Sequence, residues 1–382
     1  MSTYAETLHA HLIGRQGSRR ALNTPALVVD ADALERNIAA MASFAAKNGL
    51  KLRPHAKTHK SVDIAKAQIA AGALGVCCAK LGEAEALAEG GIEGILITSP
   101  VVGEAAVARL VALAAEHPTL MSSADNLAAV AAIGAAARAA GATVTIVVDL
   151  DPGLRRTGCA TPADAVALAQ LVAGHEALAF GGVQFYCGAE QHIEAYADRR
   201  TAVVEKTAKL TETLERLKAV GLPAPIVTGG GTGTHAIDAE LGVFTELQVG
   251  SYIFMDHQYE VCALRSEGPQ PFETSLMIDA RVISANHPML VTVDAGLKAM
   301  ATEAGPPPIL AGAPEGSQYR FMGDEQGAVV PPRGVAPPKL GEVVTLAAPH
   351  CDPTVNLYDA YHLVRGDTLE AIWPVTARGR SA

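Results

Sequence analysis

The sequence predicts a mixed α/β protein in which a (β/α)8 TIM barrel is followed by a C-terminal antiparallel β-domain. Two observations carry that expectation. Between residues 50 and 254, eight short β-branched or apolar runs alternate with Ala-rich helical stretches, the pattern of a parallel sheet with crossover helices. Past residue 260 helical periodicity nearly vanishes, and Pro- and Gly-punctuated segments such as SLMIDARVIS, MLVTVDAG and LGEVVTLAAP take over, which read as antiparallel strands. A chain of 382 residues is long enough for two domains, one of them a large barrel.

In order, the barrel runs are LKLRPHAK (50–57), GVCCAK (75–80), GILITS (94–99), TLMSSA (119–124), TVTIVVDL (143–150), GGVQFYCG (181–188), PIVTGG (225–230) and LQVGSYIF (247–254). Ahead of them, TPALVVDADALERNIAAMASFAAKNG supplies one further strand and an amphipathic helix, with Asp32 as N-cap and Asp30 as the other candidate. The extra strand is expected to join the C-terminal sheet. The expected division is therefore an N-terminal segment over 1–30, the barrel over 31–260 and the β-domain over 261–382.

Composition narrows the function. The net charge of −10 is moderate and spread along the chain, which argues against a nucleic-acid partner or an anionic membrane. Six cysteines without a CxxC pair fit reduced thiols. The opening residues lack the apolar core of a signal peptide, and no run approaches the roughly 18 apolar residues of a membrane span. A cytoplasmic protein is expected.

Barrels place chemistry at the C-terminal ends of their strands. In the first run, alternation puts Arg53, His55 and Lys57 on one face, where inward basic side chains are costly unless they meet an anion or water. Lys57 closes that run, and a desolvated amine beside other cations becomes a usable nucleophile. Lys60 lies past the strand, and Lys80, ending the second run, is the stronger rival. The segment TGGGTGT (228–234) follows the seventh run. A glycine-rich turn there exposes backbone amides to a phosphate, with Thr228, Gly230, Gly231 and Thr232 as the contacting residues; a plain tight turn is the alternative. Gly250, Ser251 and Tyr252 offer a second close approach. Tyr186 and His192 fall near the mouth, His192 as a candidate general base, and Arg156 follows the fifth run as a candidate for a cofactor oxygen. Near the C-terminus, His350 and Asp352 are one residue apart. On an extended segment both would face one way and Cys351 the other, leaving a divalent ion with positions open to water and substrate. An ordinary hydrogen-bonded His–Asp pair is the other reading.

Taken together, TPALVVD, RPHAKTHKS, GVCCAK, ITSPVV, YCGAEQH, GGGTGT, ELQVGSYIFMD, DAGLKA, DEQG and PHCDPTVNLYD resemble the D-threonine aldolase family, nearly end to end and in order. That family belongs with the D-serine dehydratase-like and alanine-racemase-like fold-type III enzymes of pyridoxal 5′-phosphate (PLP). The resemblance implies a barrel of the alanine-racemase type, PLP carried on Lys57, and a divalent metal on His350 and Asp352, with Mn²⁺ ahead of Mg²⁺ or Zn²⁺. It also implies retro-aldol cleavage of D-β-hydroxy amino acids, D-threonine giving glycine and acetaldehyde, and a homodimer. Where relatives often read YHGS, this chain reads Tyr186, Cys187, Gly188 and Ala189. Gln248 falls where racemase relatives carry an arginine toward the pyridine nitrogen. The alternatives within the resemblance are a D-serine or 3-hydroxyaspartate dehydratase and a β-hydroxyaspartate aldolase. An amino-acid racemase, for which the His–Asp pair has no task, and a non-catalytic PLP carrier stand further off.

Overall fold

A computed structural model describes residues 3–382. The first strand, β1 (Ala26–Asp30), precedes eight short ones: β2 (Lys51–Leu52), β3 (Cys77–Cys78), β4 (Leu96–Ile97), β5 (Met121–Ala124), β6 (Val144–Asp149), β7 (Leu178–Phe185), β8 (Ile226–Gly229) and β9 (Glu246–Leu247). Each overlaps one of the eight apolar runs, but the eighth run, 247–254, meets β9 only at Leu247, and its Ser251–Ile253 is a 3-10 turn. They pair in parallel in the order β2-β9-β8-β7-β6-β5-β4-β3. The ends of that ladder meet where His55 bridges Cys77 and the Cys77 amide donates to the Pro54 carbonyl at 2.8 Å, so the sheet closes into a barrel.

Local chemistry explains the helices between the strands. The helix Leu127–Ala140 begins at Asn126, whose side chain accepts from the Ala128 and Ala129 amides, and ends at Gly141 with φ 64°, a left-handed cap that glycine adopts without steric cost. The helix Pro162–Ala173 starts with a reciprocal Thr161–Asp164 capping box and Pro162 in its first turn. For the helix Ala31–Lys47 the cap differs from the expected Asp32: the Asp30 carboxylate accepts from the Ala33 amide at 2.9 Å, because Asp30 still has strand geometry at the point where the helix starts.

The remaining strands are β10 (Leu276–His287), β11 (Leu290–Val293), β12 (Ile309–Ala311), β13 (Gln318–Phe321), β14 (Gly327–Val330), β15 (Val343–Ala347), β16 (Ala360–Arg365) and β17 (Thr368–Pro374). They form a second sheet in the order β13-β14-β11-β10-β1-β16-β17, with β15 on β10 and β12 on β15. All its pairs are antiparallel except that of β1 with β16, which is parallel. Residues Ala26 to Val29 are almost fully buried, so β1 is an interior strand of this sheet.

The chain divides into two compact units, Met1–Ala40 with Ser251–Val261 and Gln270–Arg378, and Met41–Gly250 with Cys262–Pro269 and Gly379–Ala382. This differs from boundaries at 30 and 260, and hydrogen bonds give the reason. Asn37 donates to the carbonyls of Ile253 and Glu273, and Ser275 donates from its amide to Phe254 and from its hydroxyl to Ile253. The start of the first long helix and residues 251–261 are thereby stitched to the β-unit. No disulfide joins the six cysteines, all buried, and no helix among the described residues is long and apolar enough to cross a membrane.

Candidate active site

At the barrel mouth the first run is not one long strand. Ladder bonding continues past Leu52 through the Arg53 and His55 amides, Pro54 has no N–H to give, and the chain then turns into the 3-10 segment Ala56–Thr58. Lys57 is therefore in a turn at the strand's C-terminal end, half-buried. Its amide donates to His55 Nδ1 at 3.4 Å, and His55 Nε2 lies 3.1 Å from Thr98 Oγ1. Arg53 does not share a face with a solvated site. It forms a buried two-pronged pair with Glu246, Nε to Oε1 at 2.9 Å and Nη2 to Oε2 at 3.1 Å, so a carboxylate on β9 meets its charge. Of the rival lysines, Lys60 is buried 3.1 Å from Glu83, and Lys80 is exposed.

A polar layer lines the same mouth. Leu96, Met121, Val147 and Ile226 pack in one apolar cluster with Cys77. Two residues further along β5, β6 and β8, and just past β4, the same-facing positions are Ser123, Asp149, Thr228 and Thr98. Gln184 spans the barrel, donating to the Thr98 carbonyl and to Asp149 Oδ1, each at 3.0 Å. Gln248 donates to Gln184 Oε1 at 3.2 Å and to Thr228 Oγ1 at 3.1 Å. Burial pushes the Asp149 carboxyl above its ordinary range, against hydrogen bonds from Gln184 and Thr157 that pull it down. The hydroxyls of Thr58 and Ser123 are buried without a hydrogen-bond partner among the described residues. Sequence reasoning found Thr228 and Gln248 but missed Thr98, Ser123, Asp149 and Gln184. The signal was present: each run changes from apolar to polar two steps along one face.

The glycine-rich segment after β8 is packed tightly. A Cβ at Gly230, where φ is 70°, would overlap the Asp238 carboxylate, and one at Gly231 would overlap the Gln191 amide, so these positions need glycine. Thr232 is buried in the same loop. Asp238, fully buried, is pushed up to about 7 by desolvation, opposed by bonds from Thr234 and the Gly231 amide. At Gly250 a Cβ would sit 2.7 Å from Thr58 Oγ1, which brings that glycine against the turn carrying Lys57. Arg156 stacks over Tyr186 with its guanidinium carbon 5.7 Å from the ring centre, and Arg155, Arg156 and Tyr186 line one cavity with Leu154, Gly188 and Ala189. His192 is exposed on the loop after β7. Ser251 and Tyr252 lie in the 3-10 turn Ser251–Ile253, buried in the β-unit.

In the β-unit, the segment around His350 is not extended. Cys351–Val355 is a short helix with His350 as its N-cap, so alternation does not set where His350 and Asp352 point. Buried Asp256 accepts from the Cys351 amide at 2.8 Å, and Thr354 donates to the His350 carbonyl at 2.7 Å, which is why the extended reading fails: partners for a helical turn are in place. His350 Nδ1 lies 2.7 Å from Glu303 Oε1, which leaves Nε2 as the ring nitrogen for a ligand. Among the described residues no three His, Cys, Asp or Glu side chains group as a metal site. One imidazole and one carboxylate suit a hard divalent ion that keeps water in its shell.

A phosphorylated aldehyde fits the barrel mouth: a half-buried lysine, the buried hydroxyl of the next residue, Thr58, without a partner, and a glycine loop that follows the seventh barrel strand. Residues 29–258 match the alanine racemase N-terminal domain, and residues 275–364 match a putative serine dehydratase domain. The chain is 40% identical to a D-threonine aldolase of an Arthrobacter species, over 94% of each chain. It is 38% identical to a 3-hydroxy-D-aspartate aldolase of Paracoccus denitrificans, over 94% of this chain and 93% of the relative. The crystal structure of D-threonine aldolase from Filomicrobium marinum superposes with a TM-score of 0.91 at 37% identity, covering 95% of this chain and 97% of that one.

Proposed function

The chain belongs to the D-threonine aldolase family of alanine-racemase-fold enzymes, and from that premise we propose that it cleaves the Cα–Cβ bond of D-β-hydroxy amino acids, taking D-threonine to glycine and acetaldehyde. The observation that carries this reading is the place of Lys57, a half-buried lysine in the turn that ends the first barrel strand, while Lys60 is paired with Glu83 and Lys80 is exposed. When bound, PLP supplies an electron sink for the pair released at Cα, and a divalent ion, Mn²⁺ first among the candidates, supplies a Lewis acid for the β-hydroxyl.

The chain's own residues supply binding and proton handling. Lys57 holds the cofactor through its amine. The loop of Thr228, Gly230, Gly231 and Thr232, with Gly250, receives the phosphate, and Arg156 with Tyr186 flanks the ring's oxygen. Gln248 gives the ring nitrogen a neutral neighbour, held in place by its two donated bonds to Gln184 and Thr228. His192 takes the proton from the β-hydroxyl. His350 and Asp352 hold the ion. A homodimer in the cytoplasm completes the proposal, and sedimentation of the purified protein tests its size.

A specific observation favours a second reading, the β-hydroxyaspartate aldolase. Arg155 and Arg156 line the mouth cavity together, and paired guanidinium groups suit a substrate whose β-carbon bears a carboxylate. One experiment separates the readings. D-threonine, D-serine and the 3-hydroxyaspartate isomers are offered with and without Mn²⁺ and the products identified. Glycine plus acetaldehyde from D-threonine supports the proposal, and glycine plus glyoxylate from hydroxyaspartate alone supports the second reading. Ammonia plus a keto acid from either would overturn aldol cleavage.

A further inference from the structure

The loop proposed to receive the phosphate is glycine at 229, 230, 231 and 233. Such a segment loses more conformational freedom on ordering than any other, so a ligand that had to order it would bind weakly. Gln191 prevents that. It sits on the loop after β7, fully buried, and both ends of its amide are committed. Nε2 donates to the Cys187 carbonyl at 3.1 Å and to Thr234 Oγ1 at 3.0 Å, while Oε1 accepts from the Gly233 amide at 2.9 Å. Thr234 Oγ1 also accepts from the Gly231 amide at 3.1 Å. With two donors on its oxygen, the hydroxyl proton must go to Asp238 Oδ2, 2.6 Å away. The direction of every bond from Gln191 to Asp238 is thus fixed, and a flipped amide would set donor against donor at Gly233. A Cβ at Gly231 would overlap the Gln191 side-chain amide and one at Gly233 the Gln191 backbone carbonyl, so both glycines serve a close fit to this residue as well as flexibility.

We propose that Gln191 is a positioning residue for the cofactor phosphate: it holds the glycine loop in its binding shape before the ligand arrives, from the same loop that carries Tyr186 and His192. The inference rests on the PLP reading above. It says that binding of the phosphorylated form, and not of the aldehyde ring, depends on residue 191.

The test is equilibrium binding to the cofactor-free full-length protein of two probes, PLP and its unphosphorylated analogue pyridoxal, for wild type, Gln191→Leu and Gln191→Glu. Losing the brace should weaken PLP by about 10- to 100-fold, the size of one or two lost hydrogen bonds, and leave pyridoxal unchanged. Gln191→Glu should recover part of the loss, relative to wild type at the same pH, as acidification lets its carboxyl donate to Thr234. It is also the variant to rely on if Gln191→Leu fails to fold. Equal weakening of both probes, or no change in either, would overturn the proposal. A wild type that prefers PLP no more than pyridoxal would instead sink the placement of phosphate in this loop, and no binding of either probe would sink the PLP reading itself.

Discussion

The barrel mouth and the His350–Asp352 segment handle polar groups in opposite ways. At the mouth, Asp149, Gln184, Thr228 and Gln248 are each no more than 5% exposed and are tied to one another with assigned donors and acceptors. In the β-unit, His350 is partly exposed and its ring is held by Glu303, whose side chain is 53% exposed. A site built during folding binds its ligand without reorganisation. The two-residue metal site we propose would leave the rest of the coordination shell to water and substrate, which suits an exchangeable ion. The cofactor should therefore be tenacious and the metal removable by a chelator.

The largest effect tests the first half of that contrast. Lys57→Ala should lower aldol cleavage by about 10³-fold or more, the scale of losing a covalent catalytic group, and should abolish borohydride trapping of PLP on the protein. Lys60→Ala and Lys80→Ala should keep the trapped adduct. An adduct that survives in Lys57→Ala, located by mass spectrometry on residue 60 or 80, would move the site.

Next in size is the buried pair in the run that leads to that lysine. Arg53 and Glu246 have side chains 6% and 3% exposed. Removing one partner leaves an uncompensated buried charge, so Arg53→Met should cost about 3–5 kcal/mol of stability. Arg53→Met combined with Glu246→Leu should recover most of it. Urea midpoints for the two single variants and the double measure both steps.

Much of the barrel was legible because strand runs and helical stretches differ in period, and because a barrel dictates where its chemistry lies. That rule points to Lys57 and Thr228, whereas Gln248 enters only through the family resemblance. Asp149 and Gln184 are not legible within a single run, because their significance comes from a layer assembled across strands, 86 residues apart in the case of Gln184 and Thr98. The His350–Asp352 geometry was not legible for a different reason. Whether HCDPTV is extended or helical is decided by Asp256 and Thr354, the first of them nearly a hundred residues upstream, and local spacing does not encode such partners. Asp32 and Asp30 differ as caps by where β1 ends, a boundary that sequence patterns fix to within a few residues.

The β-unit should also be acid-sensitive at one identifiable point. The Asn23 amide donates to His9 Nε2 at 3.0 Å, so His9 Nδ1 carries the proton toward His362 Nε2, 2.9 Å away, and His362 Nδ1 donates to the Leu27 carbonyl. Neither ring has room for a second proton. His11 and His9 act against protonation here and Asp279 for it, while burial dominates and brings His362 down to about 4. Between pH 6.5 and about 4 the unfolded chain binds a proton at this residue that the folded chain does not. Stability from this residue is thus present above 6.5 and lost on acidification, by about 3 kcal/mol in all. His362→Gln should remove that part of the slope in urea midpoints taken from pH 7 to 4.5. An unchanged slope would mean that the pair titrates freely.

The smallest expected effect probes the second half of the contrast, and it turns on Glu303. A histidine that ligates a metal through Nε2 is oriented and made more basic by an acceptor on Nδ1, and losing such an acceptor commonly costs 10- to 100-fold in metal affinity. Glu303 occupies that position at 2.7 Å, but on an exposed surface where water competes, so Glu303→Ala should fall near the lower end, roughly tenfold weaker Mn²⁺ binding by titration. Glu303→Gln keeps an acceptor and should fall between the variant and wild type. PLP affinity, which our proposal assigns to the other unit, should not move in either. If Mn²⁺ affinity is unchanged in Glu303→Ala while His350→Ala abolishes it, the imidazole is held by its helix cap alone, and the two sites are more alike in rigidity than their exposure suggests.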